Sequence, residues 1–382
     1  MRIVQVANFY GPRSGGIRTT MHHLGRGYVD LGHDSVLIVP GARDGEEMTP
    51  YGRVITMAAP SIPGTGGYRV ITDVDRVCTV LDEVAPDRIE VSDRASLRAI
   101  GWWARASGIP AVMWAHERLD GVIRTFFPGP WPARAMADRW NAATAARFDR
   151  VVCSTSYARE EFDRIGWTDV EQVPLGVDLE RFTPSRRDED LRATLLAGDD
   201  LLLVLCSRLS KEKVPERAVE VLHHLVSRGV RARLVVAGGG PMADRLAANA
   251  SARDLPVTFL GHLTEREDLA GLLASADLVL APGPIETFGL AALEALASGT
   301  PVVASRSGAL REIIAGDAGR LAADSVPAFA DAIEDLLSVP ETRRRSVARS
   351  RAERFPWSET VDAMVSVHDL VGVRAASAGI RV

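Results

Sequence analysis

The sequence predicts an α/β protein made of two doubly wound domains, each a parallel sheet covered by helices on both faces. Three observations carry this reading. The chain has 382 residues, more than one hydrophobic core usually holds. Short Val/Ile/Leu-rich runs alternate with segments of helical apolar spacing. The runs are continuously apolar rather than alternating, as strands buried on both faces require.

In chain order, the first half offers strands at "RIVQVA", "DSVLIV", "RIEV", "PAVMWA", "RVVCS" and "VEQV". The second half repeats the scheme with "LLLVLCS", "ARLVVAGG", "PVTFLG", "ADLVLAPG" and "TPVVAS". Between the halves, residues 173–190 carry Pro174, Gly176 and Pro184 and then become densely charged, which marks a join. The domains are accordingly expected at 1–178 and 179–355. Two further helical patterns fill residues 340–372, broken at Pro356, so that a helix over 356–372 returns to the first domain and the tail beyond Gly372 frays.

Composition excludes several function classes. A net charge of -5 opposes bulk nucleic-acid binding, which needs a basic face. Cys78, Cys153 and Cys206 are odd in number and lack paired metal-ligand spacing, so reduced thiols in a cytoplasmic protein are expected. The N-terminus reads as a first strand rather than a signal peptide. No apolar run reaches the roughly 18 to 20 residues of a spanning helix.

In doubly wound sheets, ligands bind beyond the carboxyl ends of the strands, so the loops there carry the chemistry. After the first strand, Gly15 and Gly16 precede a helix whose N-terminus can meet a phosphate; a plain strand-to-helix turn uses the same residues. After "PAVMWA", His116 by itself reads as a satisfied histidine at a helix start before it reads as a sugar-hydroxyl ligand. After "ARLVVA", Gly238, Gly239 and Gly240 allow either backbone approach to a ligand or an ordinary cap before Pro241. After "ADLVLAPG", Glu286 and Glu294 stand eight apart, the first in a loop and the second two turns along a helix that is otherwise apolar. A carboxylate there is costly without hydroxyls or cations to bind, and ribose or hexose hydroxyls would serve.

The loop after "LLLVLCS" is the most unusual. Among 45 lysines and arginines, only Lys211 and Lys213 are lysine, and they share this loop with Arg208. Lysine offers a compact contact to one phosphate oxygen where arginine offers a planar fork. Lys213 therefore suits a place an arginine would not fit, and Lys211 a solvated neighbour.

Taken in order, Gly-Gly, His, Arg-x4-Lys, the Gly-rich turn and Glu-x7-Glu resemble the retaining family-4 nucleotide-sugar glycosyltransferases. That resemblance implies the GT-B architecture, two Rossmann-like domains facing an interdomain cleft. It further implies that the Gly16 N–H meets the donor's distal phosphate and that Arg208 and Lys213 neutralise the diphosphate. Glu286 would bind the transferred sugar beside the N–H groups of Phe288, Gly289 and Leu290, Glu294 would bind the ribose, and His116 would line the sugar pocket. The base would lie at the turn of Gly261 and His262. Ser207 and Val214 stand where this family commonly has glycine. No metal or other cofactor is expected, because protein cations and helix N-termini take the leaving group's charge.

"ANFYGPRSGGIRTTMHHLGRGYVDLGH" and "WAHERLDGVIRTFFP" look like a narrower group, the actinobacterial mannosyltransferases that use GDP-mannose. That resemblance implies a glycolipid acceptor of the phosphatidylinositol mannoside or glycosyl-diacylglycerol type. Arg124, Phe126, Phe127 and Trp131 combine basic and aromatic character near prolines, which suits peripheral contact with an anionic membrane at the inner face of the plasma membrane. The rival readings are a UDP-sugar-dependent lipid glycosyltransferase, a sugar-nucleotide epimerase and a non-enzymatic sugar-nucleotide sensor.

Overall fold

A computed structural model describes residues 1–11, 15–62, 67–127, 129 and 132–379, with side chains through residue 372. The chain divides into two compact units, Met1–Leu175 with Trp357–Val382, and Gly176–Pro356. The first division falls a few residues before the expected 178. Val177 already bridges Pro356, which ties that crossing segment to the second unit.

The first unit holds strands β1 (Arg2–Val6), β2 (Asp34–Gly41), β3 (Gly45–Thr49), β4 (Gly52–Ala58), β5 (Arg88–Val91), β6 (Ala111–Ala115), β7 (Arg150–Cys153) and β8 (Val170–Gln172). Their order across the sheet is β3-β4-β2-β1-β5-β6-β7-β8. Every pairing is parallel except β3 with β4. This hairpin was not read from the sequence. β3 is Gly45-Glu-Glu-Met-Thr49, exposed nearly throughout, and has none of the apolar continuity that announces a buried strand.

The second unit holds β9 (Leu201–Cys206), β10 (Ala232–Ala237), β11 (Val257–Gly261), β12 (Leu278–Ala281), β13 (Val302–Ser305) and β14 (Gly319–Ala322), ordered β11-β10-β9-β12-β13-β14. All pair in parallel. β14, Gly-Arg-Leu-Ala, was also not read from the sequence, being only half apolar. Leu203, Leu205, Leu234, Val236 and Leu280 form the sheet's contribution to this unit's core, with Leu222, Phe329 and Ile333 from the covering helices.

Arginine's dominance has a structural use in the helix Glu341–Ala352. Arg349 donates to the carbonyls of Leu179, Phe182 and Ala297, Arg345 to those of Ala274 and Ala276, and Arg351 to those of Glu312 and Ile313. One guanidinium thus satisfies several carbonyls, some at helix ends, which a lysine's single nitrogen does less well.

The helix Trp357–Gly379 returns to the first unit. It continues past the expected end at 372, through an alanine-rich stretch of good helix formers. Its Trp357 stacks on His23 with ring centroids 4.5 Å apart, and its Val361 lies where a Cβ on Gly27 would stand 2.4 Å away. His368 reaches Glu90 of β5 at 2.8 Å in the centre of the unit. Tyr28, Gln5 and Trp114 also donate to that fully buried carboxylate. Burial alone would push the Glu90 carboxyl up; His368, Tyr28 and Gln5 override it and hold the group below its usual value.

Candidate functional site

Each sheet has a point where the chain reverses its direction of winding, and the loops there splay apart to leave room for a ligand. In the second unit this point lies between β9 and β12. It brings the loop after β9, carrying Arg208 and Lys213, against the loop after β12, carrying Glu286.

The Lys213 ammonium lies 2.5 Å from Glu286 Oε2. Burial tends to raise the Glu286 carboxyl, but Lys213, the Thr287 backbone N–H and Arg208 outweigh it and hold the group below its usual value. Lys213 sits in a short 3-10 turn, Lys211–Lys213, and the turn packs tightly against its neighbour loop: a Cβ on Gly283 would stand 3.2 Å from the Glu212 carbonyl and 3.3 Å from Lys213 Cα. Lys211 is exposed. Val214, standing where the family commonly has glycine, adopts φ +45°, a conformation in which a β-branched residue is strained.

Glu286 is braced from behind by the Ala309 N–H, which donates to its carbonyl at 2.8 Å. Phe288 is buried and Gly289 has φ +91°. A side chain at Gly289 would strike Leu310 Cδ2 at 2.5 Å, so glycine is required to open the helix Leu290–Ala297 here. Lys213, Glu286, Gly289, Ala292, Cys206 and Leu280 line one recess. Its floor is thus a helix N-terminus beside one cation and one carboxylate.

Glu294, on that helix, is buried and paired with Arg266. Burial wins over the arginine, and its carboxyl is raised above the usual value. Arg266 was not found from the sequence: it opens the helix Arg266–Ser275 in an ordinary surface-helix pattern, and only the fold carries it to Glu294. Glu212, which binds Arg208 at 2.9 Å, was likewise missed.

The Gly-rich turn divides by role. A Cβ on Gly238 would lie 1.9 Å from the Ser207 carbonyl oxygen, and one on Gly240 would lie 2.4 Å from that of Leu209. These two glycines let the turn pass over the loop after β9, a close backbone approach within the protein. Gly239 alone has open space around its Cβ position. Gly261 ends β11 with φ +70°, and its carbonyl accepts from the Gly238 N–H at 2.7 Å, which puts the exposed His262 at the rim of the same loop cluster.

In the first unit the winding reverses between β1 and β5. Gly15 caps the helix Gly16–Asp30 with no side-chain hydrogen bond, and a Cβ on either glycine would meet nothing within 4 Å. Both Cβ positions are thus open among the described residues. His116 follows β6, two residues before Arg118 caps the helix Leu119–Phe126. Its Nε2 lies 3.0 Å from the Ser92 hydroxyl at the end of β5, and its ring lies parallel to that of Trp114, 5.3 Å away. Burial, aided by the Arg94 charge, lowers its pKa to about 4 against an opposing pull from Glu90, so the imidazole is neutral near pH 7.

The prolines near the aromatic segment suggest a loop. Phe126 instead ends the helix Leu119–Phe126, and Phe127 caps it. The buried Glu161 carboxylate accepts from the N–H groups of Leu119 and Asp120 at 2.9 and 2.8 Å, which stabilises the helix start. Phe126 and Phe127 are 53% and 66% exposed, so two large apolar side chains stand in water side by side. Arg124 lies 4.0 Å from Asp120. Trp131 lies outside the described residues. Trp114 is fully buried, and the exposed faces of Trp102 and Trp140 carry the guanidinium groups of Arg147 and Arg98.

Among the described residues, no group of three or more His, Cys, Asp or Glu side chains is placed to hold a metal ion, and no helix is long and apolar enough to cross a membrane.

Comparison with known proteins adds the following. Residues 14–181 match the family model "Glycosyltransferase Family 4", and residues 186–353 match "Glycosyl transferases group 1". The chain is 50% identical, over 96% of its length and 95% of the relative's, to a GDP-mannose-dependent alpha-(1-6)-phosphatidylinositol dimannoside mannosyltransferase of Mycobacterium tuberculosis. It is 32% identical to a D-inositol 3-phosphate glycosyltransferase of Saccharomonospora viridis, over 70% of this chain and 67% of that one. Among solved structures, a sucrose-phosphate synthase from Thermosynechococcus elongatus superposes with a TM-score of 0.80 at 21% identity, covering 98% of this chain and 99% of that one. A glycosyltransferase from Rickettsia africae does so with a TM-score of 0.75 at 15% identity, covering 97% and 98%.

Proposed function

Because this chain belongs to the family-4 glycosyltransferases, we propose that it transfers mannose from GDP-mannose to the sugar headgroup of a phosphatidylinositol mannoside. The observation that carries this reading is the near full-length likeness to the mycobacterial dimannoside mannosyltransferase, joined to a site whose cation, carboxylate and helix N-terminus converge. The same likeness makes an α-(1-6) bond the first linkage to test.

The chemistry follows from where charge develops. The bond between the sugar C1 and the diphosphate oxygen breaks, leaving positive charge on the sugar and negative charge on the phosphate. Arg208, Lys213 and the N-terminus of the helix Leu290–Ala297 stabilise the latter. Protein cations carry this role in the proposed mechanism without a metal ion. Glu286 orients the sugar through its hydroxyls, Glu294 takes the ribose, and Gly239, Gly261 and His262 border the base. In the first unit, the N–H groups at the Gly15 and Gly16 turn, at the start of a helix, are of the kind that suits a phosphate. His116, in the first unit, is neutral near pH 7 and would serve a sugar hydroxyl as a hydrogen-bonding group rather than a cation. An acceptor hydroxyl attacks C1 from the face the diphosphate leaves, and its proton passes to the departing phosphate oxygen, so configuration is retained. Phe126 and Phe127, with Arg124 beside them, would rest on the anionic surface that presents the lipid.

The test is release of nucleoside diphosphate from GDP-mannose, GDP-glucose, UDP-glucose and UDP-N-acetylglucosamine. Each is supplied with vesicles of phosphatidylinositol dimannoside, with a glycosyl-diacylglycerol, or with inositol 3-phosphate. The expected result is GDP release from GDP-mannose, stimulated by the dimannoside vesicles, with a product one mannose heavier. Stimulation only with a UDP-sugar overturns the donor, and stimulation only by inositol 3-phosphate overturns the acceptor. Binding without turnover returns the protein to a sensor. Failure of the protein to sediment with anionic vesicles at low salt removes the membrane contact.

A further inference from the structure

Both phosphate-directed cations of the second unit are paired with carboxylates. Lys213 holds Glu286, which the proposed donor also engages. Arg208 holds Glu212, which has no part in the scheme above. The Arg208 guanidinium donates to Glu212 Oε1 at 2.9 Å, and the Ser210 hydroxyl donates to the same oxygen at 2.5 Å. The other oxygen, Oε2, is buried and takes no hydrogen bond among the described residues. The two partners differ in burial: the Glu212 side chain is 13% exposed and the Arg208 side chain 49%. One end of the pair is anchored in the turn, and the other lies within reach of an arriving ligand.

We propose that Glu212 is a resident counter-ion that competes with the donor's diphosphate for Arg208. It holds the guanidinium between turnovers, gives it up when the diphosphate arrives, and reclaims it as the nucleoside diphosphate leaves. This rests on the reading of Arg208 as a diphosphate ligand.

A guanidinium edge that is committed to a carboxylate cannot at the same time make its paired contact with a phosphate, so binding exchanges one anion for another. The exchange also leaves a poorly solvated carboxylate, with the Ser210 hydroxyl as its remaining donor, close to a doubly charged ligand, which costs affinity and hastens departure. Glu212 thereby acts through Arg208. It is a positioning residue and need not touch the reacting atoms.

A purely structural brace and a competing anion predict opposite signs. Calorimetric titration with GDP, and separately with inorganic pyrophosphate, is made on the wild type, Glu212→Gln, Glu212→Ala, Arg208→Ala and the double variant Arg208→Ala/Glu212→Gln. Glu212→Gln and Glu212→Ala are expected to bind both probes about two- to fivefold more tightly, the range a part-exposed ion pair allows, with a parallel fall in donor KM. In the Arg208→Ala background the gain disappears. Unchanged or weaker binding by whichever Glu212 variant melts like the wild type overturns the proposal, as does a gain that persists without Arg208. If Arg208→Ala alone binds both probes as the wild type does, the donor-site reading itself fails, a result distinct from the failure of Glu212.

Discussion

Replacing Lys213 by alanine removes the ammonium that lies 2.5 Å from Glu286 Oε2, and the consequences for rate and for stability should separate. The two side chains are 24% and 21% exposed, so the pair is partly solvated and its net worth to folding is at most about 1 kcal/mol. A loss of that size lowers Tm by about 2–4 °C in domains of this size. The rate should fall far more. In the proposed mechanism Lys213 faces the leaving diphosphate as it gains charge, and removing one preorganised donor of this kind costs about 10²- to 10³-fold in kcat, or about 3–4 kcal/mol.

The pair also leaves a mark on pH dependence. The folded Glu286 carboxyl is held below its unfolded value, so the stability it contributes is present above the unfolded value and is lost as pH falls through the folded one. Lys213→Ala should flatten that acidic segment of the stability curve. Lys213→Arg keeps the charge but replaces a compact ammonium by a planar fork beside Glu286, and it should remain about tenfold below the wild type. The assay is GDP release from GDP-mannose with purified variants, alongside thermal melts from acid to neutral pH. A near-normal rate from Lys213→Ala with a native melt would remove Lys213 from the leaving-group site.

Glu294→Gln should raise donor KM with a smaller change in kcat. The wild-type carboxyl is raised by burial, so its contribution to stability is fully present below the unfolded value and is lost as pH rises through the folded one; in the variant this loss should vanish, as melts across that window will show. His116, with its pKa lowered to about 4, should add no ionisation to the pH–rate profile between 5 and 8. Its stabilising contribution should be present above the unfolded value near 6.5 and be lost as pH falls towards 4, and an NMR titration of its ring near 6.5 would contradict this. Gly16→Ala should melt normally while weakening GDP-mannose binding, whereas Gly289→Ala, with φ +91° and Leu310 in the way, should destabilise by about 1–3 kcal/mol; equal melting of the two would refute the contrast. Val214→Gly relieves a residue at φ +45° and should melt no lower than the wild type, by about 1 kcal/mol in its favour if the strain is fully released.

By itself the sequence determined the two doubly wound units, because strands buried on both faces must be continuously apolar, and β2, β6, β9, β10 and β12 announce themselves in that way. Lys213 and Glu286 were also singled out from the sequence by their place after β9 and β12, and the fold brings these two side chains together. Where the apolar continuity failed, in β3 and β14, so did the reading, and β4 was missed with its hairpin partner although Val54, Ile55 and Met57 make it largely apolar. Tertiary structure alone decided the partners. Arg266 meets Glu294 across 28 positions, and His368 meets Glu90 across 278, and no local pattern encodes a contact between residues so far apart. It also decided which glycines the fold itself requires. Gly238 and Gly240 yield to carbonyls from the loop after β9, while Gly16 and Gly239 face open space, a distinction set by neighbouring backbone that the sequence around each glycine does not contain.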